Sequence, residues 1–266
     1  NLHSATFQAV VLDYDGTLCD ERARDQPIAQ ELAAELSRLL EAGVAVGIAT
    51  GRGKSVRKDL QKCLDVKFWK KVIVGYYNGA DIGLLSENNL PDGTERVARA
   101  LEPVAAALTS NPPLMNMAKV EPRPSQITVM PKQPGTSDEV WNALIQIVKH
   151  LDVPGVSVLR SSHSLDVLAP EVTKLSVVRR VAAEIDDGAP ILCIGDRGQW
   201  PGNDHLLLSQ PYSLSVDEVS ADPSTCWNLS TPGTRGPQVA LEYLKSLRLA
   251  RGGVRLRLKG FSRREP

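Results

Sequence analysis

The string Asp13-Tyr14-Asp15-Gly16-Thr17 sets two carboxylates, a glycine and a hydroxyl directly behind the apolar run Val10, Val11, Leu12. The run is short, β-branched and not amphipathic, which suits a strand buried on both faces of a parallel sheet. Residues two apart on a strand point the same way. Asp13 and Asp15 therefore leave the strand end close together, in the crevice where open α/β sheets bind ligands. Gly16 lets the backbone turn there without a Cβ in the way. Two close carboxylates repel, and a divalent cation relieves the repulsion. Mg²⁺ suits them because it takes oxygen ligands and shares one or two carboxylates with a phosphate. One carboxylate of such a pair can attack phosphorus, and the other can carry the proton of the leaving group. An Asp-Gly turn after a strand is the bland alternative, but the full string closing an apolar strand favours chemistry.

Other residues of suitable type stand at other strand ends. Val44–Ala49 reads as a second buried strand, closed by Thr50-Gly51-Arg52 and followed by a helix over 54–64. A hydroxyl residue before backbone N–H groups that open a helix is a phosphate cradle. Lys71–Tyr76 reads as a third strand, followed by the turn signal Asn78-Gly79. Ile191–Gly195 is a further apolar run that ends in a carboxylate, Asp196, with Asn203-Asp204 beyond it. Lys174 falls in the first turn of a helix expected over 171–185. A lone helical lysine is ordinarily solvated, so its position relative to the other residues decides its role. His3, His150, His163 and His205 have no metal-ligand spacing.

This set resembles the haloacid dehalogenase superfamily of aspartate-nucleophile phosphohydrolases, in its Cof-like, sucrose-phosphatase-like branch. Asp13 to Thr17 matches the first motif, Thr50-Gly51-Arg52 the second, Lys174 the third, and Gly195-Asp196 with Asn203-Asp204 the fourth. The resemblance makes Asp13 the nucleophile and Asp15 the general acid/base. It gives Thr50, Gly51, Arg52 and Lys174 to phosphate binding, and Mg²⁺ to Asp13, Asp15 (through its carbonyl) and Asp196. Asn78-Gly79 adjoins the substrate pocket in Cof-like members. Two departures stand out. Leu175 replaces the glycine that commonly follows the lysine. The spacer between Asp196 and Asp204 is longer than usual, which leaves open whether Asp204 reaches the metal directly or through Lys174, and whether Asn203 supports either. Trp200, in that spacer, either walls the pocket or packs elsewhere.

The elements that must position these residues alternate as strand and helix. Pro27–Ala42 has helical apolar spacing, with Pro27 in a helix-first position. Ser213–Val216 reads as an edge strand, and a final helix is expected over 236–249. Residues 81–165 break the rhythm. Helices are expected over 94–108, kinked at Pro103, and over 137–151. Turns are expected around Pro112 and Pro113, and strands over 126–130, 156–160 and 164–168. Strands with two helices fit a small α+β domain. Only 37 positions separate Asp13 from Thr50, against 124 between Thr50 and Lys174, so an insertion falls in the second gap. The resemblance makes it a class II cap. The expected fold class is thus α/β: a Rossmann-like core with a mainly parallel sheet (1–80 and 166–249), an inserted α+β cap (81–165), and a basic tail or linker (250–266). Arg123, Lys132, Arg160 and His163 are polar cap residues for which surface solvation is the simpler reading.

Composition excludes several classes. Lys and Arg together number 31, as do Asp and Glu, so the chain has no overall bias toward nucleic acid or anionic membrane. No apolar run approaches a membrane span, and the four widely spaced cysteines suit a cytoplasmic protein rather than a disulfide frame or zinc site. Arg248–Arg264 carries basic residues and no acid; nucleic-acid binding there is the less favoured reading. The chain opens on Asn1, which fits a fragment, a processed form or a domain of a longer polypeptide with further domains. The expected activity is Mg²⁺-dependent phosphatase action on a small-molecule phosphoester, such as a sugar phosphate. Alternatives are a phosphotransferase or mutase, or a phosphate-binding regulatory domain acting on nucleotide or nucleic-acid phosphates.

Overall fold

The computed structural model describes residues 2–23, 26–91 and 96–257. The chain divides into two units. One comprises Asn1–Pro91, Lys174–Trp200 and Asp204–Pro266; the other comprises Asp92–Thr173 and Pro201–Asn203.

The first unit opens with β1 (Ala9–Asp13), α1 (Gln30–Glu41), β2 (Ala45–Ala49), α2 (Lys54–Cys63), β3 (Val72–Tyr76) and β4 (Asp81–Leu84). The second contains α3 (Glu102–Thr109), α4 (Pro112–Met117), β5 (Ala118–Pro122), β6 (Gln126–Pro131), α5 (Ser137–Leu151), β7 (Ser157–Arg160) and β8 (Leu165–Leu168). The chain then returns to the first unit through α6 (Leu175–Ala182), β9 (Ile191–Arg197), α7 (His205–Leu208), β10 (Ser213–Glu218), α8 (Pro237–Ser246), β11 (Leu247–Ala250) and β12 (Gly253–Leu256).

Six strands of the first unit form one sheet in the order β10-β9-β1-β2-β3-β4. All its pairings are parallel except β3 with β4. β1 lies near the middle, and its alternating side chains serve both faces. Val10 and Leu12 join the core shared with residues of α1, α2 and α8, whereas Ala9 and Val11 join the core that holds Val177 and Val181 of α6. This double burial is why the run reads as continuously apolar. The central strands carry glycine where α6 comes closest. A Cβ on Gly47 would lie 2.7 Å from Val181 Cγ2, and one on Gly75 would run into Val177 Cγ2. β2 and β3 therefore keep α6, and the lysine at its start, close against the sheet.

In the second unit the sheet is antiparallel, in the order β5-β6-β8-β7. Ile127, Val129, Leu165 and Val167 share a core with Val104 and Leu108 of α3 and Val140 and Leu144 of α5. Gln126, Thr128 and Asp166 alternate with them and so take the opposite face. Gln126 Nε2 donates to Asp166 Oδ1 at 3.0 Å and to Thr128 Oγ1 at 2.8 Å, and both Gln126 and Asp166 are buried.

Several expectations need correction. β4 falls inside the stretch assigned to the cap, yet it hydrogen-bonds to β3, so the second unit begins at Asp92 rather than residue 81. At the other end it runs to Thr173, because β8 pairs with β6 and β7. Pro27 does not start α1, which begins at Gln30 behind Ala29. Pro103 does not kink a helix; it occupies the first turn of α3, where its missing N–H costs nothing. Residues 94 and 95 of that expected helix lie outside the described residues. The prolines at 112 and 113 open α4, whose first turn is capped by Asn111 Oδ1 accepting from Leu114 N–H at 3.0 Å. The helix expected over 236–249 stops at Ser246. From Leu247 the chain forms a β11–β12 hairpin that buries Leu247, Val254 and Leu256, so residues 250–256 are part of the first unit and not a linker. Residues 258–266 of the expected tail lie outside the described residues.

Filling the space at Gly75 tests how α6 is held. Overpacking a core costs about 1–3 kcal/mol. Gly75→Ala should lower the unfolding free energy by about that amount in urea titrations. Wild-type stability in this variant would show that α6 yields freely.

Candidate active site

The carboxylates of the first unit meet at the C-terminal ends of β1 and β9. Asp13 is the last residue of β1 and is 1% exposed; Asp196 lies near the end of β9 and is 4% exposed. Lys174, the residue before α6, places its ammonium among them. Its Nζ donates to Asp13 Oδ1 and to Asp204 Oδ1, each at 2.6 Å, and all three groups are buried. Asp204 uses its second oxygen to accept the backbone N–H of Asp196 at 3.0 Å and of Arg197 at 3.4 Å. The glycine of Gly195-Asp196 has a steric reason: a Cβ there would lie 2.7 Å from Asp204 Oδ2. Despite the long spacer, then, Asp204 reaches both the end of β9 and Lys174.

Burial and neighbours govern the charges. Desolvation first, then the charge of Asp204, pushes the Asp13 carboxyl up from 3.8 to about 8 although Lys174 pulls the other way. Asp196 is likewise raised well above the ordinary range by burial and by Asp204 and Asp13. Burial would raise Asp204 as well, but Lys174 and hydrogen bonds at Asp196 and Lys174 hold it below its ordinary value. Burial would lower Lys174, but Asp13 and Asp204 outweigh it and keep the ammonium protonated.

This donor set fits a hard divalent cation. Oxygens of Asp13, Asp196 and Asp204 lie within 4.8 Å of one another. Asp13 Oδ2 is buried with no hydrogen-bond partner among the described residues, an acceptor left over for a ligand. Both oxygens of Asp204 are engaged, which leaves Asp13 and Asp196 as the side-chain donors and makes Asp204 a support for Lys174.

Asp15, Thr50 and Arg52 lie in loops of the same unit. Gly16 has φ +80°, and the turn it makes is closed by the N–H groups of Leu18 and Cys19, which donate to Tyr14 O at 2.8 and 2.9 Å. Thr50 is fully buried behind β2, and its Oγ1 accepts the Arg52 N–H at 3.0 Å. The Thr50 carbonyl accepts Asn78 N–H at 2.8 Å, which ties Asn78-Gly79 to the second motif. Tyr77, Asn78 and Gly79 all have positive φ, a tight left-handed passage. The Arg52 guanidinium meets Asp15 Oδ1 at 3.2 Å and Asp59 Oδ2 at 3.3 Å. Burial opposes its charge, but Asp15 and its other neighbours, Tyr14 and Asp59, hold it protonated.

The structure does not gather every expected residue here. Asn203 falls in the second unit, where its N–H donates to the Arg160 carbonyl at 3.1 Å and the Arg160 N–H donates to Pro201 O at 2.8 Å. Trp200 is about half exposed and meets the His205 ring edge-on at 5.5 Å. Two features escaped sequence reasoning. Asp59 is hidden in a charged stretch of helix, and only its spacing of seven from Arg52 hinted at a pair. Gln126, Thr128 and Asp166 look like the solvated face of an alternating strand.

Residues 10–101 match the family model of haloacid dehalogenase-like hydrolases. Over that segment the chain resembles these hydrolases, and its fold is shared with phosphatases of known structure. Among solved structures, the trehalose-6-phosphate phosphatase C-terminal domain of C. albicans is 15% identical, with 90% of this chain and 91% of that chain covered and a TM-score of 0.64. Sucrose-phosphatase from Synechocystis is 18% identical, covering 89% and 96%, with a TM-score of 0.61. The N-terminally truncated, IMP-bound IMP-nucleotidase of Plasmodium falciparum is 16% identical, covering 90% and 68%, with a TM-score of 0.59. A search of curated protein sequences gives no match. Among the described residues, no helix is long and apolar enough to cross a membrane.

Because Asp13 and Asp196 are held up by burial and by the charge of Asp204, a cation must displace protons to bind them. Mg²⁺ affinity should therefore rise with pH up to about 8, by as much as about tenfold per pH unit for each proton released. Calorimetric titration in two buffers of different ionisation enthalpy measures both quantities. Constant affinity across that range, with no proton release, would mean that both carboxylates are already ionised.

Proposed function

We propose that the chain is a Mg²⁺-dependent phosphatase that hydrolyses a small phosphomonoester through an aspartyl-phosphate on Asp13. The observation that carries this reading is the buried Lys174 bridge, which fixes Asp13 through Oδ1 and leaves Oδ2 without a partner among the described residues. A carboxylate pinned by one oxygen presents the other as a nucleophile of fixed direction.

Asp13 would attack phosphorus in line, while Asp15 protonates the departing oxygen and later takes a proton from the water that hydrolyses the aspartyl-phosphate. Lys174 has three N–H donors, of which Asp13 and Asp204 take two, so the third serves a phosphoryl oxygen. Thr50 Oγ1 accepts from Arg52 N–H, which leaves its own proton to donate to a second phosphoryl oxygen. Mg²⁺ held by Asp13, Asp196 and the Asp15 carbonyl would supply charge neutralisation for the phosphate. Positioning and electrostatics of this kind supply most of the catalysis of phosphoryl transfer.

The names of the similar structures point to sugar phosphates and a nucleotide as the substrate class. We assign the choice among them to the second unit, read as the class II cap. All four motifs lie outside its main span, and its sheet carries the polar set Gln126, Thr128 and Asp166.

Two tests follow. Asp13→Asn should lose at least about a thousandfold in kcat with its fold intact, since an amide cannot act as the nucleophile. Phosphate release by the wild type should stop on chelation with EDTA and return with Mg²⁺. A variant that keeps about a tenth of the wild-type rate would rule out nucleophilic catalysis by Asp13. Separately, Gln126→Ala and Asp166→Asn should reorder kcat/KM among sugar phosphates and nucleotides. An unchanged order across the panel would remove the second unit as the specificity element.

A further inference from the structure

Arg52 is pinned along its whole donor edge. Nη1 meets Asp15 Oδ1 at 3.2 Å, Nη2 meets Asp59 Oδ2 at 3.3 Å, and Nε donates to Ser55 Oγ at 3.2 Å. Its guanidinium carbon lies over the Tyr14 ring, 5.3 Å from the ring centre. The backbone is held as well: Arg52 N–H donates to Thr50 Oγ1, and Arg52 O accepts Tyr77 N–H at 3.1 Å. Ser55 and Asp59 are four apart on α2, so they share one helix face, and both turn to Arg52. A planar, forked cation bonded at each of its three nitrogens and seated over an aromatic ring has little freedom to swing. Asp59 itself is buried on α2, where an acid without a task would be costly.

We propose that Asp59 is a positioning residue: through Arg52 it holds the Asp15 carboxyl group in the place from which, in its protonated form, it gives its proton to the leaving oxygen and becomes the carboxylate. This rests on the phosphatase reading above and assigns to Arg52 a role different from phosphate binding. The guanidinium is a rigid spacer between two carboxylates, with Asp59 as the anchor on a regular helix and Asp15 as the working group on a loop. The energetic logic is orientation. A loop carboxylate that rotates freely spends little time aligned with the leaving oxygen, and an error of about 1 Å at a reacting group can cost about a hundredfold in rate.

The role predicts a signature that depends on the leaving group. An alkyl phosphate needs its departing oxygen protonated, whereas 2,4-dinitrophenolate leaves without a proton. The quantity to measure is kcat/KM, which reports the step that expels the leaving group. In Mg²⁺, Asp59→Ala should raise the ratio of kcat/KM for 2,4-dinitrophenyl phosphate to that for glucose 6-phosphate by about tenfold or more over the wild type. Asp59→Asn keeps the shape and one acceptor oxygen, so it should shift the ratio less and in the same direction. Asp59→Glu, which restores the charge, should recover part of the wild-type ratio. Circular dichroism and thermal melts establish that each variant is folded; if Asp59→Ala is not, the ratio in Asp59→Asn decides. Equal losses on both esters, or a rise in KM with weaker inhibition by inorganic phosphate and no change in ratio, would overturn the proposal and give Arg52 to phosphate binding. Wild-type protein inactive on both esters in Mg²⁺ would instead overturn the phosphatase reading itself, and this proposal with it.

Discussion

A single ammonium group holds the centre of this molecule together. Lys174 Nζ lies 2.6 Å from oxygens of both Asp13 and Asp204, out of contact with water. Three carboxylates buried so closely would repel one another and bear a large desolvation cost if all were charged. One fixed cation makes their assembly feasible without neutralising it fully. Burial first, and then the charge of Asp204, still raises Asp13 and Asp196 and leaves the site receptive to a second cation.

The rest of the first unit can be understood as the means of keeping that ammonium in place. Lys174 sits at the start of α6, whose position depends on Val177 and Val181 lying against Gly75 and Gly47. Asp204 approaches because residue 195 has no side chain, and it is fixed by two backbone N–H groups at the end of β9. Asp13 is fixed by the central strand, which is buried on both faces. The three groups thus come from three separate elements of one sheet-and-helix layer, and none can shift without disturbing apolar packing.

The loops around this centre show a different principle. Thr50, Arg52, Tyr77 and Asn78 are joined mostly through backbone hydrogen bonds, with Thr50 and Asn78 buried and Tyr77 packed against the core. The left-handed run Tyr77-Asn78-Gly79 folds the chain back under Thr50 and lets Asn78 N–H close on the Thr50 carbonyl. Strands deliver Asp13 and Asp196, helix starts deliver Lys174 and Asp204, and short turns deliver Asp15, Thr50 and Arg52.

Much of this was legible in the chain itself, because local rules act locally. The buried strands that carry Asp13, Ala49 and Asp196 at or near their C-terminal ends are apolar runs that give way to polar residues, and α5 matched its expected span of 137–151 because its helical periodicity is uninterrupted. The spacing of the motifs also revealed an inserted segment. The edges of that segment were not legible. β4 and β8 are both short strands, and which sheet each one joins is a matter of long-range pairing that no local pattern records. Pro103, Pro112 and Pro113 were misread because the same residue that breaks a helix also begins one, and the difference depends on what precedes it. Asp59 shows the limit most clearly. In the sequence it is one charge among several on α2. Only tertiary structure turns it inward against Arg52, because burial and partnership belong to the packed helix and not to the residue. The sequence by itself determined which chemistry the strand ends could perform; the packing of α2 and α6 against the sheet decided which charges face one another, since electrostatic partners are set by distance in space rather than along the chain.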